Sequence, residues 1–437
     1  MRTSLLPTSL LAAFGYDYIV VGGGPSGIIM AERLAEANKK VLLLERSVTG
    51  FSFDVGNIDY VGGYLCSDTE GTAACILGGG VSVNYMVFVH PPDHVQAEAE
   101  RLYLRNPGSS LPSADSQRYD QVLYIILANF FSRLGWRSMD ISAQRNEKHG
   151  LEPPRLEHQG YKPAGPLRTY LPQALQRDNF SLRMNAKVTR VVRDGSRATG
   201  VELIFPDRNN TTEIIPLAPR GRVVLSAGAL SSPRILFNSS IGPSAQIETA
   251  RRSGVAVPPT KDWIHLLRWG ALTQGKHRLV LFTSNVASDG IARYYQGSQS
   301  PTAEGVMTIT AYITHGLTST GVYSYLQTAG DARRLPYAIT ALRTGLELQE
   351  YTNTSAILSS LTAEIHYAGT TRMGLDNSRY PNGTAVVDMN TKVYRMDNLY
   401  IVHSGFHPDL ASVNNQAYIM VGAENAVQRI LSHPDDE

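Results

Sequence analysis

The sequence predicts an α/β protein built on a parallel sheet, and three apolar segments carry that prediction. Tyr16–Val21 is β-branched and aromatic, like a buried strand, and leads through a glycine-rich turn into a helical stretch over 28–37. Val41–Leu44 is short and wholly apolar, which is typical of a parallel strand covered on both faces. A further apolar segment, 221–225, runs through a small-residue turn into another helical stretch. Strand, turn and helix in this order indicate βαβ units.

The chain does not keep this pattern throughout, so we predict two domains. Between 262 and 350 the sequence becomes β-rich, as at 307–314, and the C-terminal region then returns to strand, loop and amphipathic helix. Residues 46–78 are expected to be loop and Leu182–Val192 one strand. We predict a discontinuous, Rossmann-like dinucleotide-binding domain and a second, α+β domain built on an antiparallel sheet. In chain order the predicted segments are a first dinucleotide-binding segment (16–100), a helical insertion of the second domain (101–185), a second dinucleotide-binding segment (186–261), a shortened second domain (262–377) and a last dinucleotide-binding segment (378–437).

Composition and charge limit the classes of partner. The 437 residues are 43% hydrophobic and 18% charged, which is enough for two domains that each bury a core. The 40 basic and 38 acidic residues give a net charge of +2, and no basic block or acidic tail indicates nucleic acid or an anionic membrane as a partner. No run of about 18 or more apolar residues predicts a transmembrane helix. We therefore expect a soluble protein.

Three weak signals favour secretion over a cytoplasmic location. Residues 1–15 combine one Arg, a short Leu-rich stretch and Ala12-Ala13, a pattern that fits a secretory signal and fits a disordered extension equally well. Cys66 and Cys75 permit a local disulfide in an oxidising compartment, or else a pair of buried thiols. A secreted glycoprotein is also favoured by N-x-Ser/Thr sequons, which begin at Asn179, Asn209, Asn210, Asn238, Asn353 and Asn382.

The first glycine cluster matches a dinucleotide-binding motif. Gly22, Gly24 and Gly27 form G-x-G-x-x-G between a predicted strand and a predicted helix, and Glu45 ends the next strand. Gly22 allows a tight turn, Gly24 lets backbone amides approach a pyrophosphate, and Gly27 lets the helix pack closely. The helix N-terminus favours phosphate, and Glu45 would accept hydrogen bonds from ribose hydroxyls. The unit predicts a dinucleotide without deciding between NAD and FAD, and a glycine turn in an unliganded α/β domain is the alternative.

A second glycine cluster lies within 75–87. This segment has no helical or strand period, and Gly78, Gly79 and Gly80 follow one another without a turn residue. Such a segment suits close backbone approach to a flat ligand, with an ordinary flexible loop as the alternative.

Together these motifs resemble the glucose-methanol-choline (GMC) family of FAD oxidoreductases, and within it the flavodehydrogenase branch of fungal cellobiose dehydrogenase. The resemblance spans most of the chain and rests on segments 16–46, 75–91, 187–192, 221–243 and 385–430. It implies FAD as cofactor, with the second domain shaping the substrate pocket. The residues that it implies for the cofactor are Gly22, Gly24, Gly27 and Glu45 at the ADP half, Gly78, Gly79, Gly80, Ser82 and Asn84 along the flavin, Val188 by its backbone at the adenine, Ala227 and Gly228 in a flanking turn, and Asn415.

The resemblance also implies the catalytic residues. The segment Ile365-His366-Tyr367 resembles the one that presents a catalytic histidine, and Ser412-Val413-Asn414 resembles the one that presents its partner. Oxidation of a carbinol needs loss of the hydroxyl proton and transfer of a hydride to the flavin, and a neutral imidazole suits the first task. The implied activity is oxidation of CH–OH groups in sugars or alcohols, by a dehydrogenase rather than an oxidase, with an external electron acceptor.

The chain departs from the family pattern at several places. Where relatives carry Asp-Ala-Ser after the late strand, it has His403-Ser404-Gly405, so an acid that hydrogen-bonds the cofactor is expected to be missing. A stretch after Leu266 is absent, and the region after Arg46 is shortened. A truncated or degenerate member with weak flavin binding and no turnover is therefore the alternative to an enzyme, and an NAD-dependent Rossmann dehydrogenase ranks last.

No metal site is predicted. His403 and His407 are four residues apart, but they lie in a Gly/Pro loop rather than on one helix face, so their spacing does not indicate a metal-binding pair.

Overall fold

The structure is a computed structural model. It describes residues 15–47, 65–68, 71–82, 87–88, 129, 132–133, 149–152, 155–156, 158–159, 162–163, 165–205, 211–242, 280–286, 292–303, 306–315, 367–377, 380, 383–408 and 415–433.

The described helices and strands have these bounds. The strands are β1 Tyr16–Val21, β2 Val41–Leu44, β3 Leu65–Asp68, β4 Gly71–Ala74, β5 Val87–Phe88, β6 His149–Glu152, β7 Arg155–Leu156, β8 His158–Gln159, β9 Lys162–Pro163, β10 Phe180–Arg183, β11 Lys187–Asp194, β12 Arg197–Phe205, β13 Thr211–Leu225, β14 Val280–Val286, β15 Ala292–Ala303, β16 Val306–His315 and β17 Leu399–Ile401. The helices are α1 Pro25–Glu36, α2 Pro166–Thr169, α3 Leu171–Ala174, α4 Gly228–Asn238 and α5 Asn415–Ser432. Short 3₁₀ turns span Gly79–Ser82 and Ser404–Phe406.

The main sheet confirms the predicted α/β fold. Its parallel strands have the order β10-β2-β1-β13-β17. Strand β13 has two roles, because its last residues pair in parallel with β1 and β17 while its first half pairs antiparallel with β12. β12 then pairs antiparallel with β11. All four residues of β2 are buried, as expected for a strand covered on both faces.

The second sheet is antiparallel, as predicted. Its order is β16-β15-β14-β6, and every pairing within it is antiparallel. The strand expected at 307–314 is β16.

Two expectations from the sequence are wrong in detail. The single strand expected over 182–192 is two strands, because the chain turns at Asn185, which has a φ of 55°. The first of them, β10, pairs with β2 in the main sheet. The loop expected over 46–78 contains the β3–β4 hairpin.

The cysteine alternatives are resolved next to this hairpin. Cys75 is disulfide-bonded, and Cys66 in β3 is the chain's other cysteine. A disulfide fits an oxidising compartment, whereas secretion itself stays a prediction. Among the residues that the structure describes, no helix has the length and apolarity needed to cross a membrane.

A buried charge network joins α1 to α5. The guanidinium of Arg33 donates from Nε and Nη2 to the Glu424 carboxylate over 3.0–3.1 Å, and the Tyr170 hydroxyl donates to the same carboxylate over 2.7 Å. Glu32, 1% exposed, lies 3.2 Å from Nη1 of Arg33. Because α1 begins at the first glycine cluster, this network holds the helix that carries the cluster.

Breaking this network by Glu424→Gln should lower the free energy of unfolding by about 3 kcal/mol, because the Arg33 charge loses its main partner while it stays mostly buried. The matched control is Glu36→Gln, since Glu36 also bonds Arg33 but its side chain is 51% exposed. That change should cost about 1 kcal/mol or less. Urea unfolding of both variants checks the difference, and equal losses would contradict the assigned role of Glu424.

Candidate cofactor-binding site

The carboxyl ends of four parallel strands meet at one edge of the main sheet. In register, Val21 lies opposite Leu44 on one side and Leu225 on the other, and Leu225 lies opposite Ile401. In the sheet, β1 lies between β2 and β13, so the strand order extends from β1 to both sides. Open α/β sheets bind ligands beyond the carboxyl ends of the strands at such a point, which here is the edge beyond Val21.

The first glycine cluster occupies this edge, and each glycine has its own steric reason. Gly22 has a φ of 104°, and a Cβ there would lie 2.5 Å from the carbonyl oxygen of Ser226. A Cβ on Gly27 would collide with the carbonyl oxygen of Gly22. A Cβ on Gly24, in contrast, would have no neighbour within 4 Å. Gly22 and Gly27 are therefore required by the fold, whereas Gly24 keeps a space open.

Helix α1 presents an N-terminus suited to an anion. Gly24 is its N-cap residue and makes no side-chain cap, Pro25 is in the first turn, and that turn contains no acidic residue. The hydroxyls of Ser26 and Ser226 are buried beside the cluster without a hydrogen-bond partner in the described structure. Backbone N–H groups and the helix dipole at such an end favour phosphate.

Glu45 lies directly after β2, at the other side of the glycine cluster. Its carboxylate is buried and accepts hydrogen bonds from the N–H of Gly23 at 2.6 Å and of Ser47 at 2.8 Å. Burial raises the pKa of this carboxyl, against the opposite effect of the two backbone N–H groups. A carboxylate can accept about four hydrogen bonds, so acceptor capacity beyond these backbone N–H groups remains for a ribose hydroxyl.

The structure brings the second glycine cluster onto the first. The N–H of Gly78 donates to the carbonyl of Gly23 over 2.7 Å. A Cβ on Gly79 would lie 3.1 Å from Cα of Gly24, whereas a Cβ on Gly80 would have no neighbour within 4 Å. The Ser82 hydroxyl donates to the Leu77 carbonyl at 3.0 Å, so it stabilises its own turn. Asn84 lies outside the described residues.

The remaining predicted cofactor residues adjoin the same edge. Ala227 and Gly228 follow β13, where Gly228 has a φ of 84° and a Cβ on it would have no neighbour within 4 Å. Val188 is in β11, near Ala186, whose N–H donates to the Glu45 carbonyl at 2.9 Å. Asn415 is the first residue of α5.

The predicted catalytic residues His366 and Asn414 lie outside the described residues. The segments that follow them in sequence are described, and both adjoin the loop after β17. The Thr371 N–H donates to the Gly405 carbonyl at 2.9 Å, and the Tyr418 ring lies 4.0 Å from the His407 ring between centroids.

The loop after β17 contains two buried histidines that sequence reasoning did not place in the site. His403 is 3% exposed and His407 is 4% exposed, and the Nε2 atom of each is buried without a hydrogen-bond partner in the described structure. Burial lowers the pKa of each to about 3, and for His407 the proximity of His403 adds to this effect. Both imidazoles are therefore neutral. Their four-residue spacing was visible in the sequence, but burial was not.

Comparison with protein families gives the class of this chain. Two models of the family described as GMC oxidoreductase match residues 111–257 and 301–423, which together exceed half of the chain, and a model of an NAD(P)-binding Rossmann-like domain matches residues 20–63. The chain belongs to the GMC oxidoreductase family.

Curated relatives agree with this assignment. (R)-mandelonitrile lyase 4 of Prunus serotina is 27% identical over an alignment of 275 residues that covers 56% of this chain and 46% of that protein. An oxygen-dependent choline dehydrogenase of Staphylococcus haemolyticus is 26% identical over an alignment of 275 residues that covers 52% of this chain and 47% of that protein. The chain thus spans about half the length of the curated relatives it matches.

Solved structures share the fold over nearly the whole chain. A pyridoxine 4-oxidase from Mesorbium loti has a TM-score of 0.69 and 18% identity, covering 96% of this chain and 100% of that one. A fungal aryl-alcohol oxidase has a TM-score of 0.67 and 16% identity, covering 95% and 99%. At these identities the likeness concerns the fold.

FAD is the cofactor of this family, and the described residues fit it. The edge offers an uncapped helix end, a buried carboxylate with spare acceptor positions, and two unpartnered serine hydroxyls. Open space above Gly24, Gly80 and Gly228 gives a ligand close access to the backbone.

Two alanine substitutions separate the structural glycines from the ligand-facing one. Gly27→Ala should destabilise the protein by more than about 2 kcal/mol, because its methyl group collides with backbone. Gly24→Ala should cost about 1 kcal/mol or less, since φ there is −71°, and should weaken FAD binding at least tenfold because the methyl group occupies the open space. Thermal unfolding without FAD and FAD titration by flavin fluorescence measure the two effects. Wild-type FAD affinity in Gly24→Ala would contradict this placement of the diphosphate.

The buried histidines predict a particular pH dependence. A histidine with a pKa of about 3 when folded and about 6.5 when unfolded takes up its proton only on unfolding, so stability is lost as pH falls below about 6.5. Between pH 7 and 5, His407→Phe should therefore lose about 2 kcal/mol less than the wild type. Urea unfolding at fixed, saturating FAD measures this slope. Tyr418→Phe is the control, because it alters the same ring contact without removing a group that titrates in this range, and it should keep the wild-type slope. Identical slopes in His407→Phe and wild type would refute the buried neutral state.

Proposed function

We propose that this protein oxidises CH–OH groups of a sugar or alcohol by hydride transfer to bound FAD. The observation that carries the proposal is the docking of Gly78–Ser82 onto Gly22–Gly24, because two glycine clusters far apart in sequence together frame one cofactor-sized edge. A dinucleotide-binding module alone would need only the first cluster.

The proposed catalytic residues are His366 and Asn414. Support comes from the described segments next to them. Thr371 and Tyr418 both contact the loop that follows β17, which lies at the carboxyl edge of the sheet. The Thr370 hydroxyl also donates to the Ala229 carbonyl in the first turn of α4, at 2.7 Å. Residues shortly after His366 and Asn414 therefore adjoin one loop at the cofactor edge.

The chemistry assigns one task to each group. FAD, when bound, supplies a two-electron acceptor for the hydride that leaves the carbinol carbon. His366, as a neutral base, takes the hydroxyl proton while the C–O bond becomes a carbonyl, so the substrate loses one proton and one hydride in total. Asn414 orients the same hydroxyl, and the N-terminus of α5 favours negative charge at the edge that it faces.

The substrate class and the electron acceptor belong to this proposal. The relatives include a choline dehydrogenase and an aryl-alcohol oxidase, which supports an alcohol as substrate. From the sequence motifs we favour a cellobiose-type sugar and a dehydrogenase that passes electrons to an external acceptor. A degenerate family member with weak flavin binding and no turnover is the second candidate, because the stretch that follows Leu266 in the family pattern is absent from this sequence.

Anaerobic titration of the FAD-loaded protein with cellobiose and with aryl alcohols tests the proposal. Loss of the oxidised flavin absorbance near 450 nm, on the order of seconds to minutes, is the expected result. His366→Ala should slow that reduction at least about a hundredfold, the usual contribution of a general base, with unchanged FAD content. If no CH–OH substrate bleaches the flavin, the proposed oxidation is refuted and the non-catalytic alternative is favoured. Fast reoxidation by air rather than by an added quinone would contradict the dehydrogenase assignment.

A further inference from the structure

His403 occupies a defined position relative to the cofactor edge. Its neighbour Val402 donates its N–H to the carbonyl of Leu225, the last residue of β13, at 3.0 Å. Val21 lies opposite Leu225 in β1. Since neighbouring strands are about 4.8 Å apart, His403 lies roughly 10 Å along the edge from the glycine turn that follows β1.

The hydrogen bonds of His403 fix its tautomer. The Gly405 N–H donates to Nδ1 over 2.9 Å, so Nδ1 is an acceptor and carries no proton. Burial lowers the pKa of the ring to about 3, so the imidazole is neutral and its single proton is on Nε2. The Nε2–H group is thus a hydrogen-bond donor.

That donor is buried and has no acceptor. Nε2 of His403 has no hydrogen-bond partner in the described structure, although the side chain is only 3% exposed. The ring also packs closely against Gly405, where a Cβ would lie 2.6 Å from its Cε1 atom. Buried donors in proteins are nearly always paired, and an exception calls for an unseen ligand or water.

The order of groups along the edge identifies which portion of a ligand reaches this donor. Glu45, at the end of β2, suits the ribose, and the glycine cluster after β1 suits the diphosphate. A dinucleotide laid from β2 across β1 continues toward the ends of β13 and β17. The portion beyond the diphosphate in FAD is the ribitol and flavin, which carry hydroxyl and carbonyl oxygens.

We propose that His403 donates a hydrogen bond from Nε2–H to an oxygen of the ribitol–flavin half of FAD. The chain then has a donor at the position where the family pattern has an acid, which is an acceptor, so the polarity of this contact is reversed. The inference rests on FAD binding and not on turnover, so a protein that binds FAD but oxidises nothing would refute the proposed function and leave this contact intact.

Two variants of the 437-residue chain that replace the imidazole with an amide test the contact. In His403→Asn the side-chain oxygen keeps an acceptor near the Nδ1 position for Gly405, but the donor at the Nε2 position is lost. His403→Gln keeps an amide at the Nε2 position. The probes are FAD and ADP, because ADP contains the ribose and diphosphate but neither ribitol nor flavin.

The expected result is selective for the flavin half. His403→Asn should raise the Kd of apoprotein for FAD about tenfold and change the Kd for ADP by less than about twofold, whereas His403→Gln should recover most of the FAD affinity. Equal losses for FAD and ADP, or unchanged FAD binding in His403→Asn, would overturn the proposal. If FAD binding is unchanged but substrate binding is weakened, the donor would belong to the substrate, and this result would also overturn the proposal.

A measurement on the unmodified protein gives a readout that does not depend on the ligand affinity of a variant. In ¹⁵N-histidine-labelled protein, an Nε2-protonated signal that His403→Gln removes should shift downfield on addition of FAD and not of ADP. Absence of any FAD-specific change in that signal would refute the contact.

Discussion

The close contact between α1 and the turn after β1 is the constraint on which the rest of the structure depends. A side chain on Gly27 would strike the Gly22 carbonyl, so the helix can approach the sheet this closely only with glycine at that position. The approach places the start of α1 over the edge where β1 separates β2 from β13. The ligand position therefore follows from backbone packing, before any side chain binds a phosphate.

Other segments of the chain secure this arrangement from outside. The second glycine cluster is hydrogen-bonded to Gly23, and the disulfide-bonded Cys75 precedes that cluster. On the far side, Arg33 bonds Glu424, which links the first described helix to the last. A helix that must present its N-terminus to a ligand is thus held at both ends.

The cofactor edge contains polar groups that no described residue satisfies. Serine hydroxyls beside the glycine cluster and the imidazole nitrogens after β17 are buried without partners in the described structure. Unpaired buried polar groups cost free energy, so a fold tolerates them where a ligand completes their hydrogen bonds. Ser26, Ser226, His403 and His407 supply four such groups at the carboxyl edge of the sheet.

The sequence by itself determined the fold class and predicted the residues of the ADP half of the site. The strand at Tyr16, the glycines from Gly22 to Gly27 and the acid at Glu45 are local features, and their spacing within one βαβ unit leaves one arrangement. Periodicity also located α5 and β16. It failed at β10, because a positive φ at Asn185 breaks an apparently continuous strand, and a backbone conformation of that kind leaves little trace in hydrophobic pattern.

Tertiary structure alone decided that Gly78 meets Gly23, and that His403 and His407 are buried and neutral, with Nε2 atoms that lack a partner in the described structure. Both results depend on contacts between segments far apart in the chain, and burial, which sets their pKa, is a property of the packed whole rather than of any window of sequence.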